Sequence, residues 1–249
     1  DITANNNGLF GIQSLNQSDN GVAIGLAGSS QNLSEILQLG TGVAGLFGLD
    51  LPLSITGGGH MVANGNGMNG FQMTTIGSNA AINAVVGLET IGNGGAGAYL
   101  GTYSDYLSIA ALARLESTGN GGAGLLFDAY ALDEAAIGII ADVNASNNGD
   151  SGITASVDCP DGSAILVGLS TDLFRPLAAT AGDLLLGAPI TLPGEPFGPI
   201  VASGNTGEGV SATVTGDGIA AAVFLDTQAD GNSANGFNFN VVASNGIAL

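Results

Sequence analysis

Basic side chains are almost absent from this chain of 249 residues. It contains no lysine and only two arginines, Arg114 and Arg175, against 21 acidic residues, so its formal net charge is −19. A protein that binds nucleic acid needs lysine and arginine to neutralise phosphates, and binding to an anionic membrane surface needs them as well. The charge therefore argues against both of these partners.

Cysteine and long apolar runs are also scarce. Cys159 is the only cysteine, so the sequence offers neither a disulfide framework nor a cysteine-based metal site. It has no run of 18 apolar residues that would predict a membrane-inserted helix. The sequence begins at Asp1 and not at Met, from which we expect that a leader is removed and that the protein is secreted, to act outside the cell or at its surface.

Glycine is abundant, with 43 residues in a sequence that is 45% hydrophobic. Asn-Gly pairs recur at a nearly constant spacing, each with a further glycine shortly after it: Asn66, Asn93, Asn120 and Asn148. Equivalent turns follow at Asn205 and Asn235. A fixed period of this size, about 27 residues, is typical of solenoids, in which successive turns of the chain stack. We expect the Asn and Gly of each pair to form a corner with positive φ.

A period-two pattern follows each of these turns. Small or apolar residues alternate with mostly polar ones, which indicates a half-buried strand. The first apolar position of this strand aligns from repeat to repeat as Phe71, Ala98, Leu125, Ile153, Val210 and Phe237. A helical repeat is the alternative, because residues 108–116 have good helix propensity, but the period of two argues against it.

A second strand follows in each repeat, and its apolar residues align as well. Two columns are predicted to point inward: Ile82, Ile109, Ile137 and Ile165, and then Ala84, Ala111, Ile139 and Val167. Residues in neighbouring strands lie about 4.8 Å apart, so a parallel stack places like residues on like. The sequence therefore predicts an all-β fold, a parallel β-solenoid (β-helix) with two main strands per coil of about 27 residues.

The repeat divides the chain into segments of one solenoid domain that spans residues 1–249. Five of the seven prolines fall between Ser170 and Asn205, and proline cannot donate to a strand ladder. The predicted segments are irregular or narrower N-terminal coils at 1–63, regular coils at 64–170, a proline-rich excursion at 171–204 and C-terminal coils at 205–249.

Catalytic machinery is not evident in the sequence. Enzymes with this architecture, such as pectate-lyase-like and glycosidase β-helices, use clustered carboxylates beside a basic residue, whereas the acids here are scattered and the two arginines isolated. His60 has no second metal-ligating partner, and Cys159 is interpreted as a small buried residue. The prediction is that the protein is not an enzyme and needs no cofactor.

Two kinds of modification or ligand stay open. Calcium is one, because oxygen donors concentrate at two corners: Asp142, Asn144, Asn148 and Asp150 at the first, and Asp226, Asp230 and Asn232 at the second. N-glycosylation is the other, at the sequons of Asn16, Asn32 and Asn144.

The surface of the predicted solenoid suggests assembly. Residues between the inward columns of the second strand are apolar, and an outward stripe of this kind needs cover by a second subunit or by the proline-rich excursion. The last strand has no charged cap and could pair with a neighbour. The residues predicted to mediate self-assembly are Val85, Leu112, Ile140 and Leu166 in the stripe, with Phe237 and Phe239 at the end.

Stacked Asn-Gly turns with aligned apolar columns resemble those of secreted bacterial and archaeal β-solenoid surface and filament proteins, and "GNGGAG" is similar to the glycine-rich repeats of mycobacterial surface proteins. The resemblance covers about residues 64–170 and 205–245. It implies a structural subunit of an extracellular filament or surface assembly whose partner is a copy of itself. The alternatives are a secreted binding module (an adhesin, a carbohydrate binder or an ice binder) and a polysaccharide-active enzyme.

Overall fold

The computed structural model of the protein describes residues 2–19, 21–27, 60–168, 170 and 198–249. These residues form 18 β-strands in two sheets, and all the pairings between them are parallel. The described part of the chain is therefore all-β, and it contains no helix long and apolar enough to span a membrane.

One sheet has seven strands, which lie side by side in chain order and have seven residues each: β2 (Ile12–Ser18), β5 (Phe71–Gly77), β7 (Ala98–Ser104), β9 (Leu125–Ala131), β11 (Ile153–Cys159), β14 (Val210–Gly216) and β17 (Phe237–Ala243).

The other sheet has eleven strands of unequal length: β1 (Ile2–Thr3), β3 (Val22–Ala27), β4 (Met61–Val62), β6 (Ala80–Ile91), β8 (Leu107–Thr118), β10 (Ala135–Ser146), β12 (Ser163–Gly168), β13 (Ile200–Val201), β15 (Ile219–Phe224), β16 (Thr227–Gln228) and β18 (Ile247–Ala248).

The chain alternates between the two sheets. Each strand of the seven-stranded sheet is followed by a strand of the other sheet, and we call this pair, with the turn before it, a level. Neighbouring levels are in register without a slip, so that Phe71 pairs with Ala98, and Ala98 with Leu125. The predicted alignment of the first strand is confirmed at each of its six positions.

The long strands β6, β8 and β10 bend near their middle. Gly87, Arg114 and Asp142 occupy the bend with φ of 75°, 55° and 51°, and the pairing between these strands skips that position. A left-handed residue changes the direction of a strand, and it costs a non-glycine residue about 1 kcal/mol or more. Each long strand thus has two straight parts, a feature that the sequence analysis did not predict.

The main core lies between the two sheets. Phe71, Leu100 and Phe127 enter it from the seven-stranded sheet and are at most 1% exposed. The predicted apolar stripe lies opposite them in the same core, with each side chain at most 1% exposed: Val85, Leu112, Ile140 and Leu166. The prediction that these four side chains point to solvent is therefore wrong.

The two columns that were predicted to point inward lie on the other face of the eleven-stranded sheet. Ile82, Ile109 and Ile137 belong there to a second apolar cluster, whose buried members are at most 8% exposed. Strands of parallel sheets that are buried on both faces have apolar residues on both. Alternation defined the two faces of this strand correctly, but it could not tell which of them faces the other sheet.

The regular levels extend beyond the segment predicted for them. Strands β2 and β3 pair in full register with β5 and β6, so residues 12–18 and 22–27 belong to a regular level inside the segment 1–63, for which irregular or narrower coils were predicted. Residues 200–201 already pair with β10 and β16, before the predicted end of the excursion at 204. Residues 28–59 and 171–197 lie outside the described part of the chain.

Candidate assembly interface

An asparagine from every level lies in the turn before the strand of the seven-stranded sheet, and together these side chains form a ladder: Asn7, Asn66, Asn93, Asn120, Asn148, Asn205 and Asn232. Each asparagine donates its backbone N–H and its Nδ2 to the Oδ1 of the next one, over 2.9–3.2 Å. The five members from Asn66 to Asn205 are 1–2% exposed. Buried amides of this kind are stable because they are satisfied by hydrogen bonds.

The local sequence explains how each asparagine reaches the interior. The residue before it has a positive φ, between 57° and 69°, in all seven levels: Asn6, Gly65, Gly92, Gly119, Asn147, Gly204 and Gly231. The left-handed residue is therefore the one before the Asn-Gly pair, and the prediction that the pair itself forms the positive-φ corner is wrong. The glycine of the pair is needed for space, because a Cβ on Gly94 would lie 2.4 Å from the carbonyl oxygen of Gly67.

The ladder has a direction, and its two ends differ. Among the described residues, no donor reaches the Oδ1 of Asn7, and no acceptor is reached by the backbone N–H of Asn232. The first level thus offers an acceptor and the last level a donor. This is the pair of groups that meets at every junction between levels inside the molecule.

The edge strands of the seven-stranded sheet are complementary in the same way. Strands β2 and β17 both have seven residues, and the pairings between levels put Ile12 and Phe237 in one column. The N–H of Val210 donates to the carbonyl of Gly236 at 2.9 Å. In a parallel strand, alternate residues bond to opposite sides, so the equivalent N–H of Phe237 points to the open edge.

The exposed apolar residues of the last level surround this edge. Phe237 and Phe239 are 44% and 43% exposed, although they continue columns that are buried in the five levels between the first and the last. Their rings are 5.8 Å apart, and Phe239 also stacks on Phe224 at 5.2 Å. Of the six residues predicted to mediate assembly, the structure leaves only these two accessible.

A groove at the bend of the long strands is lined by polar residues that are far apart in sequence. It has a volume of about 580 Å³, and its lining includes His60, Arg114, Glu116, Asp142 and Asn144. The Arg114 Nε lies 4.0 Å from the Asp142 Oδ2. In the sequence, the acids are scattered and the two arginines isolated. Alignment of the repeats, which places Arg114 and Asp142 at the same position of consecutive levels, could have found them.

The sequons and the calcium corners have different outcomes. Asn16 is partly buried, and its Nδ2 lies 3.3 Å from the Oγ1 of Thr75, whereas Asn144 is exposed in the groove; Asn32 lies outside the described residues. Asn148 and Asn232, which were considered as calcium ligands, belong to the ladder. Within the described ranges, no three His, Cys, Asp or Glu side chains group to hold a metal.

The other residues singled out in the sequence have simpler positions. Cys159 is fully buried, and burial raises the pKa of its thiol to about 11, as expected for a small core residue. Arg175 lies outside the described part of the chain.

No protein-family model, curated protein or solved structure matches this chain.

Proposed function

We propose that the levels are coils of a parallel β-solenoid and that the protein is a structural subunit, which stacks end to end with copies of itself in an extracellular filament or surface layer. The observation that carries the proposal is the complementarity of the first and last levels. Each end offers a strand of seven residues whose outer edge has no partner within the described ranges, and one end of the asparagine ladder, in the register that the molecule uses internally.

A junction between two copies would repeat a junction between two levels. The N–H of Phe237 would donate to the carbonyl of Gly11 in the next copy, as that of Val210 donates to Gly236. The N–H groups of Asn232 would donate to the Oδ1 of Asn7, and the exposed rings of Phe237 and Phe239 would lose contact with water. Burial of apolar area drives such association.

The symmetry of this contact favours a filament over a closed oligomer. The last level of one copy meets the first level of the next, so the two contacting surfaces are different. A head-to-tail contact of this kind grows without limit unless a rotation closes it into a ring. The nearly complete lack of lysine and arginine would suit an extracellular filament, because proteases of trypsin-like specificity find few sites in it.

Disulfide trapping tests the register of the junction. In the proposed stack, residue 240 of one copy lies opposite residue 15 of the next, at a Cα separation compatible with a disulfide. We expect the double variant Leu15→Cys with Asn240→Cys to form a ladder of covalent oligomers under mild oxidation, read on a non-reducing gel. The native thiol of Cys159 is buried and should not contribute.

The matched control moves one cysteine by two residues. The pair Gln13→Cys with Asn240→Cys would be diagonal in the stack, at about 7–8 Å, where a disulfide strains the backbone. We expect few or no covalent oligomers from this pair, and no species larger than dimers from either single variant. Equal ladders from both pairs would show that the contact has no defined register and would contradict the proposal.

Electron microscopy tests the polymer directly. Negative-stain images of the purified protein at several concentrations should show unbranched filaments whose length grows with concentration. Val241→Pro should shorten them, because it removes an N–H that points to the open edge while the bonds between β17 and β14 remain. Monodisperse particles at all concentrations would reject self-assembly and favour the alternative of a secreted binding module.

A further inference from the structure

The outer face of the seven-stranded sheet carries three of the four tyrosines of the chain. Tyr99 and Tyr103 lie on β7, and Tyr130 on β9 is the register partner of Tyr103. All three side chains are only partly buried. We call these tyrosines, together with Asp128 on β9 and Asp158 on β11, the tyrosine patch.

Gly101, which has no side chain, lies in the middle of this patch. A Cβ on Gly101 would lie 2.7 Å from the hydroxyl oxygen of Tyr99 and 2.9 Å from the Cε2 of Tyr103. The two tyrosines therefore lie over Gly101, between their own positions on β7. Their hydroxyl oxygens lie 2.6 Å apart and share a hydrogen bond. This hydrogen bond and the contact with the backbone at Gly101 hold both rings in place.

Two carboxyl groups border the rings. The Asp128 Oδ2 lies 3.5 Å from the hydroxyl of Tyr103, and Asp158 pairs in register with Tyr130. Burial raises the pKa of both carboxyl groups, and the Oδ1 of Asp158 is buried without a hydrogen-bond partner among the described residues. The patch thus contains acceptors that are partly desolvated and incompletely satisfied.

A cavity of about 430 Å³ adjoins the patch at the corner between the two sheets. Tyr103 and Tyr130 form one side of it, and its lining also includes Ser18, Ser78 and Asp105. Binding sites for small molecules start at about 300 Å³ and combine apolar or aromatic walls with a few polar groups. This cavity has a sufficient volume, and Ile76, Tyr103 and Tyr130 supply its apolar and aromatic wall beside five polar residues.

We propose that the tyrosine patch and its cavity bind an uncharged polysaccharide. The C–H faces of a sugar ring pack on fixed aromatic rings, and its hydroxyl groups donate to carboxylates such as Asp128 and Asp158. The described residues contribute no basic side chain to this sheet, so the patch repels anionic glycans. The patch is open to solvent in the single molecule and does not coincide with the strand edges that the proposed filament uses.

Affinity electrophoresis with the full chain tests this proposal. We expect the protein to be retarded in native gels that contain a neutral polysaccharide, in a panel of hydroxyethylcellulose, laminarin and galactomannan, and not to be retarded by polygalacturonate. Because the chain has no tryptophan, tyrosine fluorescence during titration with the oligosaccharide of the retarding polymer supplies a second measurement.

Variants separate a specific site from general stickiness. Tyr103→Ala should weaken binding at least tenfold and Tyr99→Phe about threefold, since the latter keeps the ring and loses the hydroxyl pair. Tyr106→Ala is the matched control, because Tyr106 is 47% exposed and lies outside the patch; it should change binding less than twofold. Thermal unfolding of each variant confirms that the fold is retained.

Three outcomes would overturn the proposal: no retardation by any neutral polymer, equal binding by the Tyr103→Ala and Tyr106→Ala variants, or stronger binding to polygalacturonate than to the neutral polymers. The result does not depend on filament formation, because binding is measured on the monomeric fraction from gel filtration. If the protein binds no polysaccharide, the proposed end-to-end contact is not contradicted. If it forms no filament, the proposed polysaccharide site is not contradicted.

Discussion

The asparagine ladder and the bend of the long strands border the same short stretch of chain, residues 88–91 in β6, yet they are built differently. The ladder position is asparagine in all seven levels. The bend position is His60, Gly87, Arg114, Asp142, Pro199 and Asp226 in successive levels, as the pairings of the adjacent residues show.

The direction of the side chain explains this difference. A ladder asparagine points inward and bonds to the levels on both sides, so its identity is fixed by its neighbours. A bend residue sits on the outside and does not bond to its equivalents in the way a ladder asparagine does. Arg114, Asp142 and Asp226 share a φ between 51° and 55°, whereas Pro199 cannot adopt a positive φ. The identity of the side chain therefore differs from level to level at the bend, where the groove also lies.

Insertions follow the same division. Strands β3 and β12 both end two positions before the bend, with Ala27 paired to Val85 and Gly168 to Ile140. The sheet resumes just after the bend, at Met61 and Ile200. The ladder spans the resulting separations of 59 and 57 residues without a break. The hydrogen bonds between levels are therefore continuous at the corner with the asparagine ladder, whereas extra chain length between levels is found at the bend.

Breaking the ladder should have the largest effect on stability. Asn120→Ala removes the acceptor for the N–H and Nδ2 of Asn93, and it removes the Nδ2 that donates to the carbonyl of Thr90. Each unsatisfied buried group costs about 1–3 kcal/mol, so we expect the free energy of unfolding to fall by about 4 kcal/mol. Urea denaturation followed by circular dichroism measures it.

The control for this variant is another asparagine of an Asn-Gly turn. Asn235 is exposed and lies outside the ladder, so Asn235→Ala should change the free energy of unfolding by less than about 0.5 kcal/mol. If Asn120→Ala were as mild as its control, the ladder would not be what holds the levels together.

At the bend, a change of backbone preference should matter more than a change of side chain. Gly87 has a φ of 75°, and a Cβ there would meet no atom within 4 Å. Gly87→Ala should therefore cost about 1 kcal/mol from the left-handed conformation alone. Gly87→Asn should cost less, because asparagine tolerates this conformation. A loss above about 3 kcal/mol in urea denaturation would mean that the space is not open.

The sequence predicted the stacking well because stacking is a matter of register. Every aligned position of the first strand, from Phe71 to Phe237, proved to be a register pair. A constant period brings equivalent residues together whatever their side chains are, so a count along the sequence is sufficient for this part of the fold.

The sequence could not assign the faces of the second strand, or the role of the asparagines. Val85 and Ile82 are equally apolar, and both faces of β6 are buried, so alternation gives no direction. The Asn-Gly pair indicated a turn, and a turn explains asparagine without any ladder. The sequence signal for the ladder is the glycine that comes just before most of its asparagines, as Gly92 comes before Asn93. This glycine is the left-handed residue, and the amide of the asparagine then points to the interior.

The candidate sites were harder to predict for a geometric reason. The tyrosine patch depends on side chains from β7, β9 and β11, which belong to three different repeats of the sequence, and on the absence of a side chain at Gly101. The ends of the ladder could be predicted only once the ladder itself was known. Both sites arise between levels, whereas the sequence patterns describe one level at a time.

The smallest expected effect tests the bend at a charged residue. Asp142 has a φ of 51°, and its carboxylate lies 4.0 Å from the Nε of Arg114, with both side chains partly exposed. Asp142→Gly relieves the left-handed strain, a gain of about 1 kcal/mol, and removes an ion pair of about 0–1 kcal/mol. The two terms oppose each other, so the free energy of unfolding should change by less than about 1 kcal/mol.

Asp142→Ala is the informative partner of this variant, because it removes the same ion pair and keeps the strain. It should be less stable than Asp142→Gly by about 1 kcal/mol in paired urea titrations. Higher salt screens the ion pair of the unmodified protein, so it should narrow the difference between Asp142→Ala and the unmodified protein. It should raise the stability of Asp142→Gly relative to the unmodified protein, because the relief of strain is then no longer offset. A loss of about 2 kcal/mol or more in Asp142→Gly, well beyond what an exposed ion pair supplies, would contradict the contrast between the corners, because the bend would then depend on its side chain as the ladder does.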